Sequence, residues 1–484
     1  MKLSELIQAT NAEVFGNYDE DLDVRISTDT RTIQKGDIYL PLKGASFDGE
    51  KFIDQAFEKG AIGAFCTHQT NPRPLREREE FLSEHSELRN SGEGFSSIYL
   101  QVPDTLIAYL QLANFRRNKL NLKVVAITGS SGKTTTKEIV ASTLESKYKV
   151  FKTPLNHNNE VGLCQTIFAT PDDTEVLVLE MGMRGLGEIE LLSKYAEPDI
   201  TIVSNVGTAH IGRLGSRENI AKAKCEIVKY QRGNTFIAHD DELIKNTVDF
   251  NGEKIFFSIK EVNVIERGGK SGLVDSNSAC PLIEKGGKSG LVDSNSACPL
   301  IEKGVNYSKF EYQNNIYELN VGGDFNIENA LAAINTGIKL GLTVEEIQEG
   351  LKNYKPIEKR WEGVNINGFE IINDSYNANP ESMRAFVDTI FNLYDDYVLI
   401  LGDMGELGEN EVQYHKELGE YIFQKNSKAK VLTIGNLSKN IAEPNFATIE
   451  DAVKYIKNNI PKSTKIFLKA SRSMKFERII ELLR

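Results

Sequence analysis

The stretch VVAITGSSGKTTTKE, Val124 to Glu138, constrains the fold of this chain more than any other. A β-branched run climbs into a Gly/Ser turn, followed by a lysine, three threonines and polar residues suited to opening a helix. Strand, glycine loop, Lys-Thr and helix is the layout of a phosphate-binding loop, and it commits this region to an α/β sheet with the loop at a strand's C-terminal end. The spacing departs from the common G-x-x-x-x-G-K-[ST], because only two residues separate Gly129 from Gly132. Gly129 and Gly132 let the backbone turn tightly and approach an anion. The amides that follow open a helix, where the dipole favours negative charge. Lys133 can reach terminal phosphates and Thr134 can offer a hydroxyl to Mg²⁺. The plain alternative is a Gly-rich strand–helix turn carrying a surface lysine.

At 484 residues, with 40% hydrophobic and 26% charged residues, the chain is expected to form two or three soluble globular domains. A formal charge of −12 argues against broad affinity for nucleic acid or anionic membrane, so phosphate must be held locally. The opening MKLSELIQAT lacks the apolar run of a signal peptide, and no later segment is suited to spanning a bilayer. Five cysteines without metal-ligand spacing suit a reducing compartment, and a cytoplasmic location is expected.

To about residue 120 the pattern is that of a small α/β unit, with DIYLPL and GAFCT as strands and FIDQAFEKGA as a helix. A polar, Pro-bearing excursion follows at 70–97 and reads as a solvated insertion. From Lys123 strand and helix alternate. KVVAIT, EVLVLEM and DITIVSNV suit a parallel sheet buried on both faces, predicting a doubly wound α/β architecture. A third unit begins near Pro356 and repeats the alternation through FEIINDSY, YVLILGDM, AKVLTIGN and TKIFLKAS. The expected division is therefore 1–120, 121–355 and 356–484. Residues 268–285 recur without a change at 286–303, which points to a recent duplication or an artefact of sequence assembly, and to an exposed loop. Its GGKS has no strand before it and no helix after it, so it is not read as a phosphate loop.

Two further candidates follow apolar runs. Glu180 closes VLVLEMG and His210 follows TIVSNVGTAH, both in the zone where open α/β sheets bind ligands. A solvated strand-end acid and a structural histidine are the alternatives. Asn156, Asn158 and Asn159 in TPLNHNNEVG either form a turn or position a polar substrate.

The motifs taken together resemble the Mur ligase family. They run in order as DTRTIQKGDIYLPLKG with FDGEKFI, TGSSGKTTTKE, NHNNEVG, LEMGMRGLGEI, NVGTAHIGRLGSRENIAKAKCEI, GGDFNIENALAA, KRWEG, INDSYNANPESM, LGDMGELG and LKASRSM. The short GxxGKT loop is the form this family uses. DSYNANP with LGDMGELG resembles the branch of UDP-N-acetylmuramoyl-tripeptide–D-alanyl-D-alanine ligases, and the DNPR of the diaminopimelate-adding branch is absent.

The resemblance implies three α/β domains. They are a smaller N-terminal domain, a central doubly wound P-loop ATPase sheet and a C-terminal Rossmann-like domain. It implies that Gly129, Ser130, Ser131, Gly132, Lys133, Thr134 and Thr135 hold the ATP phosphates. Thr134 and Glu180 would ligate one Mg²⁺, and His210 with a carbamylated Lys224 a second. Asn326 and Asn329 would lie near the adenine, and Arg360, Asp374 and Tyr376 would close over ATP. Asn377 and Asn379 would meet the incoming dipeptide, beside Asn156, Asn158 and Asn159. Thr30, Arg31, Lys43, Asp48 and Gly49 would hold the UDP end of the substrate. The implied partners are UDP-MurNAc-tripeptide and D-Ala-D-Ala, with no nucleic acid, no membrane insertion and a monomeric state. Phe325, Glu50, Leu155 and Cys164 depart from frequent family residues, without removing a phosphate or metal ligand.

The implied chemistry is ATP-driven amide formation through an acyl phosphate, with Lys133, Glu180, His210, Lys224 and Arg360 as its catalytic set. Another Mur-type ligase, a folylpolyglutamate-synthetase relative and a nucleotide-dependent switch are the alternatives, separable by which acceptor and donor ADP release requires.

Overall fold

The computed structural model describes residues 1–44, 47–68, 98–154, 157–267, 307–356 and 360–484. The excursion at 70–97, the repeat at 268–303, Leu155 and the candidate Asn156 lie outside them. The described residues form two compact units. The first comprises Met1–Val124, Thr153–Leu177 and Leu191–Glu197, and the second Val125–Lys152, Val178–Glu190 and Pro198–Arg484.

The first unit carries a five-stranded sheet ordered Glu13–Phe15, Ile98–Gln101, Gly63–Cys66, Ile38–Tyr39, Ile26–Ser27, with only the first pair antiparallel. Tyr39, Ile53, Ala56, Ala64 and Cys66 form a core beneath its helix Ile53–Glu58. The helix Thr105–Leu120 is capped by Asp104, whose carboxylate accepts from the Leu106 and Ile107 amides. It packs on Glu160–Ala169, where the rings of Tyr109 and Phe168 stack with centroids 5.5 Å apart.

The central six-stranded sheet is ordered Glu253–Phe257, Thr235–His239, Ile200–Val203, Lys123–Thr128, Val176–Glu180, Val150–Lys152. The three runs read as strands in the sequence are three of its members. Val124 to Thr128 are all buried, which explains their unbroken apolar pattern. The helix Lys133–Leu144 leaves this strand through the glycine loop, flanked by Asp324–Lys339 and Val344–Asn353. Gly350 permits the close approach: a Cβ there would stand 2.4 Å from Thr143 Cα.

A three-stranded antiparallel sheet, Asn263–Arg267, Ser308–Tyr312 and Asn315–Leu319, was not legible in the sequence. Its hairpin turns through Gln313 and Asn314, at φ of 50° and 62°. These are the left-handed pair that a two-residue hairpin turn requires, without the Asn-Gly signature that usually betrays it.

The C-terminal sheet is ordered Glu362–Ile366, Phe369–Asn373, Lys465–Lys469, Tyr397–Gly402, Val431–Ile434, Asn445–Phe446. Its first pair is antiparallel and the rest are parallel. Ile371, Ile400, Ile466 and Leu468 anchor one face beneath the helices Ile449–Asn459 and Glu477–Leu483. Trp361, Phe386 and Phe467 pack together elsewhere in this unit, with Trp361 edge-on to Phe386 at 5.6 Å. Among the described residues no helix is long and apolar enough to cross a membrane.

Candidate active site

The phosphate loop is built around two glycines, each packed where a side chain would displace its neighbours. A Cβ on Gly129 would fall 1.9 Å from Ser204 Oγ. Gly132 has φ +76° as the N-cap of the helix Lys133–Leu144, and a Cβ there would meet Asn329 Oδ1 at 2.9 Å. Asn205 braces the loop from the neighbouring strand end: its Oδ1 accepts from the amides of Ser130 at 3.1 Å and Ser131 at 3.0 Å. Ser204 Oγ donates to Ser131 O at 2.8 Å. The first main-chain bond to the cap carbonyl comes from the Thr136 amide to Gly132 O, so the amides just before it begin the helix without an intrahelical acceptor. Lys133 curls back, its Nζ donating to Gly129 O at 2.8 Å.

Around this loop charges converge. Burial pushes the Lys133 ammonium below its ordinary value, with Arg360 adding to the effect and Glu180 and Glu406 opposing it. Arg360 Nη2 donates to Thr134 Oγ1 at 2.9 Å, while its guanidinium lies 4.0 Å from the Tyr376 ring centroid. Arg472 lies 5.0 Å from the same ring. Lys224 is 1% exposed, and its side chain makes no hydrogen bond or ion pair among the described residues. Burial first, and then Lys133, press its amine well below the usual lysine value.

Glu180 ends its strand almost fully buried. Lys137 Nζ stands 4.0 Å from Glu180 Oε2 and 3.0 Å from Glu138 Oε1, and Lys152 closes on Glu138 Oε2 at 2.7 Å. His210 Nδ1 lies 2.8 Å from Glu406 Oε2, and both residues hold left-handed backbone, at φ of 66° and 60°. Two such residues in contact cost backbone energy that the surrounding loops must hold in place. Burial lowers the His210 value; Glu406 opposes this while Lys133 and Lys224 reinforce it. The loops also meet at Gly212 and Gly408, where a Cβ on Gly212 would stand 2.9 Å from Gly408 N.

Asn329 Oδ1 accepts from Thr136 Oγ1 at 2.9 Å, which ties it to the backing of the loop, while Asn326 Nδ2 donates to Gly322 O at 2.7 Å, within the start of its own helix. Thr135 is buried in the first turn of the loop helix. Asp374 accepts from Lys469 Nζ at 2.5 Å, and the same ammonium donates to Asn377 O at 3.2 Å. Asn379 caps the helix Pro380–Leu393 through Ser382 N at 2.8 Å. The structure thus brings together Gly129 to Thr135, Arg360 and Tyr376, with Asn329 behind the loop. Among the described residues no group of three or more His, Cys, Asp or Glu side chains is placed to hold a metal ion.

The remaining candidates lie in the first unit. Arg31 pairs with Asp29, holding that carboxyl down to about 2, and Thr30 Oγ1 donates to Gln55 Oε1 at 3.0 Å. Lys43 and Asp48 form an isolated antiparallel bridge, and Asp48 accepts from Glu50 N at 3.1 Å. Gly49 is required by contact, since a Cβ would meet Leu42 O at 2.7 Å. Glu50 accepts from Thr67 N and Oγ1, at 3.1 and 2.7 Å. Asn159 caps Glu160–Ala169 through Gly162 N at 2.9 Å, and Asn158 is half-buried.

Sequence reasoning missed Asn205, Ser204, Lys137, Glu406 and Lys469 as parts of the site. Asp403 in LGDMGELG is a structural anion, its Oδ1 accepting from the Leu437 and Ser438 amides at 3.1 and 2.7 Å. His415 holds the same loop, Nε2 accepting from Met404 N at 2.9 Å.

The chain matches the Mur ligase family catalytic domain over residues 24–89, the Mur ligase middle domain over 127–337 and the Mur ligase glutamate ligase domain over 359–480. It is 33% identical to the UDP-N-acetylmuramoyl-tripeptide–D-alanyl-D-alanine ligase of Bacillus subtilis, across 99% of this chain and 96% of that one. Among solved structures, it resembles MurF from Acinetobacter baumannii with a TM-score of 0.79 at 25% identity, covering 100% of this chain and 98% of that one. It also resembles the MurF ligase from Thermotoga maritima in complex with ADP, with a TM-score of 0.75 at 26% identity over 95% of this chain and 96% of that one. One third identity along nearly the whole chain, on an α/β fold with a short-spaced phosphate loop, means that this protein belongs to the Mur ligase family.

Proposed function

We propose that the chain is an ATP-dependent ligase that joins D-alanyl-D-alanine to the tripeptide carboxylate of UDP-N-acetylmuramoyl-tripeptide in the cytoplasm, as a step of peptidoglycan precursor synthesis. The observation that carries the proposal is Arg360 reaching Thr134 at the mouth of the phosphate loop. Phosphorylating a carboxylate brings two anions together, and that requires cations aimed at the transferring group. Lys133 and Arg360 supply them. The carboxylate oxygen attacks the γ-phosphorus, the bond to ADP breaks, and an acyl phosphate forms. The dipeptide amine then attacks the acyl carbon, and phosphate leaves as the amide forms.

Thr134 and Glu180 offer hard oxygen donors of the kind Mg²⁺ takes, and two suffice for an ion that keeps several waters. A Mg²⁺ held there would neutralise phosphate charge. Lys224 and His210 suit a second ion only if Lys224 changes its chemistry. As an ammonium it repels cations; its lowered value favours the neutral amine, which can add CO₂ to become an anionic oxygen ligand. A carbamate carbon signal from protein equilibrated with ¹³C-labelled CO₂, absent in Lys224→Met, is the expected readout.

The domains are proposed as 1–120 for the UDP end, 121–355 for ATP and 356–484 for the acceptor, in a monomer. Within this division Asn326 and Asn329 face the adenine end, Asp374 and Tyr376 the nucleotide, and Asn156, Asn158, Asn159, Asn377 and Asn379 the joining peptides. Thr30, Arg31, Lys43, Asp48 and Gly49 hold the UDP end. ADP release measured with UDP-MurNAc-tripeptide should require D-Ala-D-Ala and fail with single amino acids or folates. Release that ignores the dipeptide would overturn the assignment.

A further inference from the structure

Glu381 is the second residue of the helix Pro380–Leu393, where an acid ordinarily serves its own helix end. Asn379 already covers that end, accepting from Ser382 N while its own amide donates to Ser382 Oγ at 3.0 Å. Freed from capping, the Glu381 carboxylate reaches the loop that follows the strand Ile200–Val203. Its two oxygens accept from Thr208 N and Thr208 Oγ1, each at 2.9 Å. Gly207 makes room, since a Cβ there would stand 2.9 Å from Glu381 Cδ. The preceding bond runs the other way: Gly207 N donates to Ser130 Oγ of the phosphate loop at 2.9 Å. Two consecutive residues therefore hold the phosphate loop on one side and Glu381 on the other.

We propose that Glu381 is a positioning residue that couples the phosphate loop to the segment Asp374–Asn379, so that the acceptor amine is set in register with the activated carboxylate. The acceptor's place at that segment rests on the ligase function proposed above; the coupling itself does not. Glu381 touches no reacting atom. Its side chain must accept from the Thr208 amide and pair with the Thr208 hydroxyl at once. A glutamine can keep both bonds, its Oε1 accepting from Thr208 N and its Nε2 donating to Thr208 Oγ1, because a hydroxyl accepts as well as donates; an alanine keeps neither.

Steady-state ADP release and calorimetric ADP binding on the full chain test the coupling. Glu381→Ala should lower kcat/KM for the dipeptide by about tenfold or more, with ADP affinity within about twofold of wild type, and Glu381→Gln should restore most of the loss. Gly207→Ala should produce a similar loss alone, and no further loss when added to Glu381→Ala, because the three nearest atoms its methyl would meet all belong to the side chain removed. Wild-type kcat/KM in Glu381→Ala, additive losses in the double variant, or ADP affinity falling with turnover would each overturn the proposal. Hydrogen exchange decides the coupling without any acceptor substrate. ADP should slow exchange at residues 374–379 in the wild type and leave it unchanged in Glu381→Ala, and equal slowing in both would end the proposal even if the ligase assignment itself fell.

Discussion

Arg360 and Thr134 stand 226 residues apart in sequence, yet the arginine Nη2 donates to the threonine Oγ1 at 2.9 Å. Stacking of the guanidinium on Tyr376 at 4.0 Å fixes its plane. Arg360→Lys keeps the charge and loses both the plane and the fork. It should cut ADP release about 10–100-fold while leaving ADP binding nearly intact, read by comparing turnover with calorimetry.

Lys133→Ala removes the cation that bends back over the loop. Turnover should fall by about 10²–10³. The circular dichroism spectrum and the urea midpoint should stay close to wild type, because the lysine is half-buried at the start of its helix rather than in the core.

Lys224→Met should separate stability from function. The unmodified lysine is almost fully buried with no ion-pair partner among the described residues, so a methionine of similar length should raise the unfolding free energy by about 1–3 kcal/mol in CO₂-free buffer. Activity should be lost. A fall in the urea midpoint would contradict the account of this lysine.

Gly350 sets two effects against each other. Replacing a helical glycine by alanine ordinarily gains about 1 kcal/mol. Here the methyl would lie 2.4 Å from Thr143 Cα and 2.7 Å from Ser142 O, both backbone atoms that cannot swing away. Overpacking costs about 1–3 kcal/mol, so Gly350→Ala should destabilise in urea unfolding.

His239 and Glu328 approach to 3.2 Å, and the hydrogen bond raises the imidazole above its ordinary value of 6.5 despite burial. A raised folded value means stability that is full below 6.5 and lost as pH climbs through the folded value. His239→Gln should therefore cost about 0.5–1 kcal/mol near pH 5.5 and little near pH 9, measured as the shift in denaturant midpoint.

The sequence carried the phosphate loop and the buried strands plainly, because their signals are local. Val124 to Thr128 are apolar in a row, and Gly129, Gly132, Lys133 and Thr134 follow within a few residues. Asn205, Glu381 and Lys469 stand inside motifs that carry the family resemblance, yet their roles were not legible. Each acts on backbone or side chains 74, 173 or 95 residues away, and a local motif does not say which distant group its residue meets. Asn379 shows the limit from another side. The family resemblance implies a contact with the incoming dipeptide, whereas the bond its side chain accepts from Ser382 N makes it a helix cap.

Gly212 and Gly408 meet backbone to backbone, with Cα of one 3.0 Å from where a Cβ of the other would be. Neither has a rotamer to freeze, so making or parting this contact carries no side-chain entropy. The two loops can lie this close only because neither residue carries a Cβ: a methyl on Gly212 would stand 2.9 Å from Gly408 N, so the backbone itself is the packing surface.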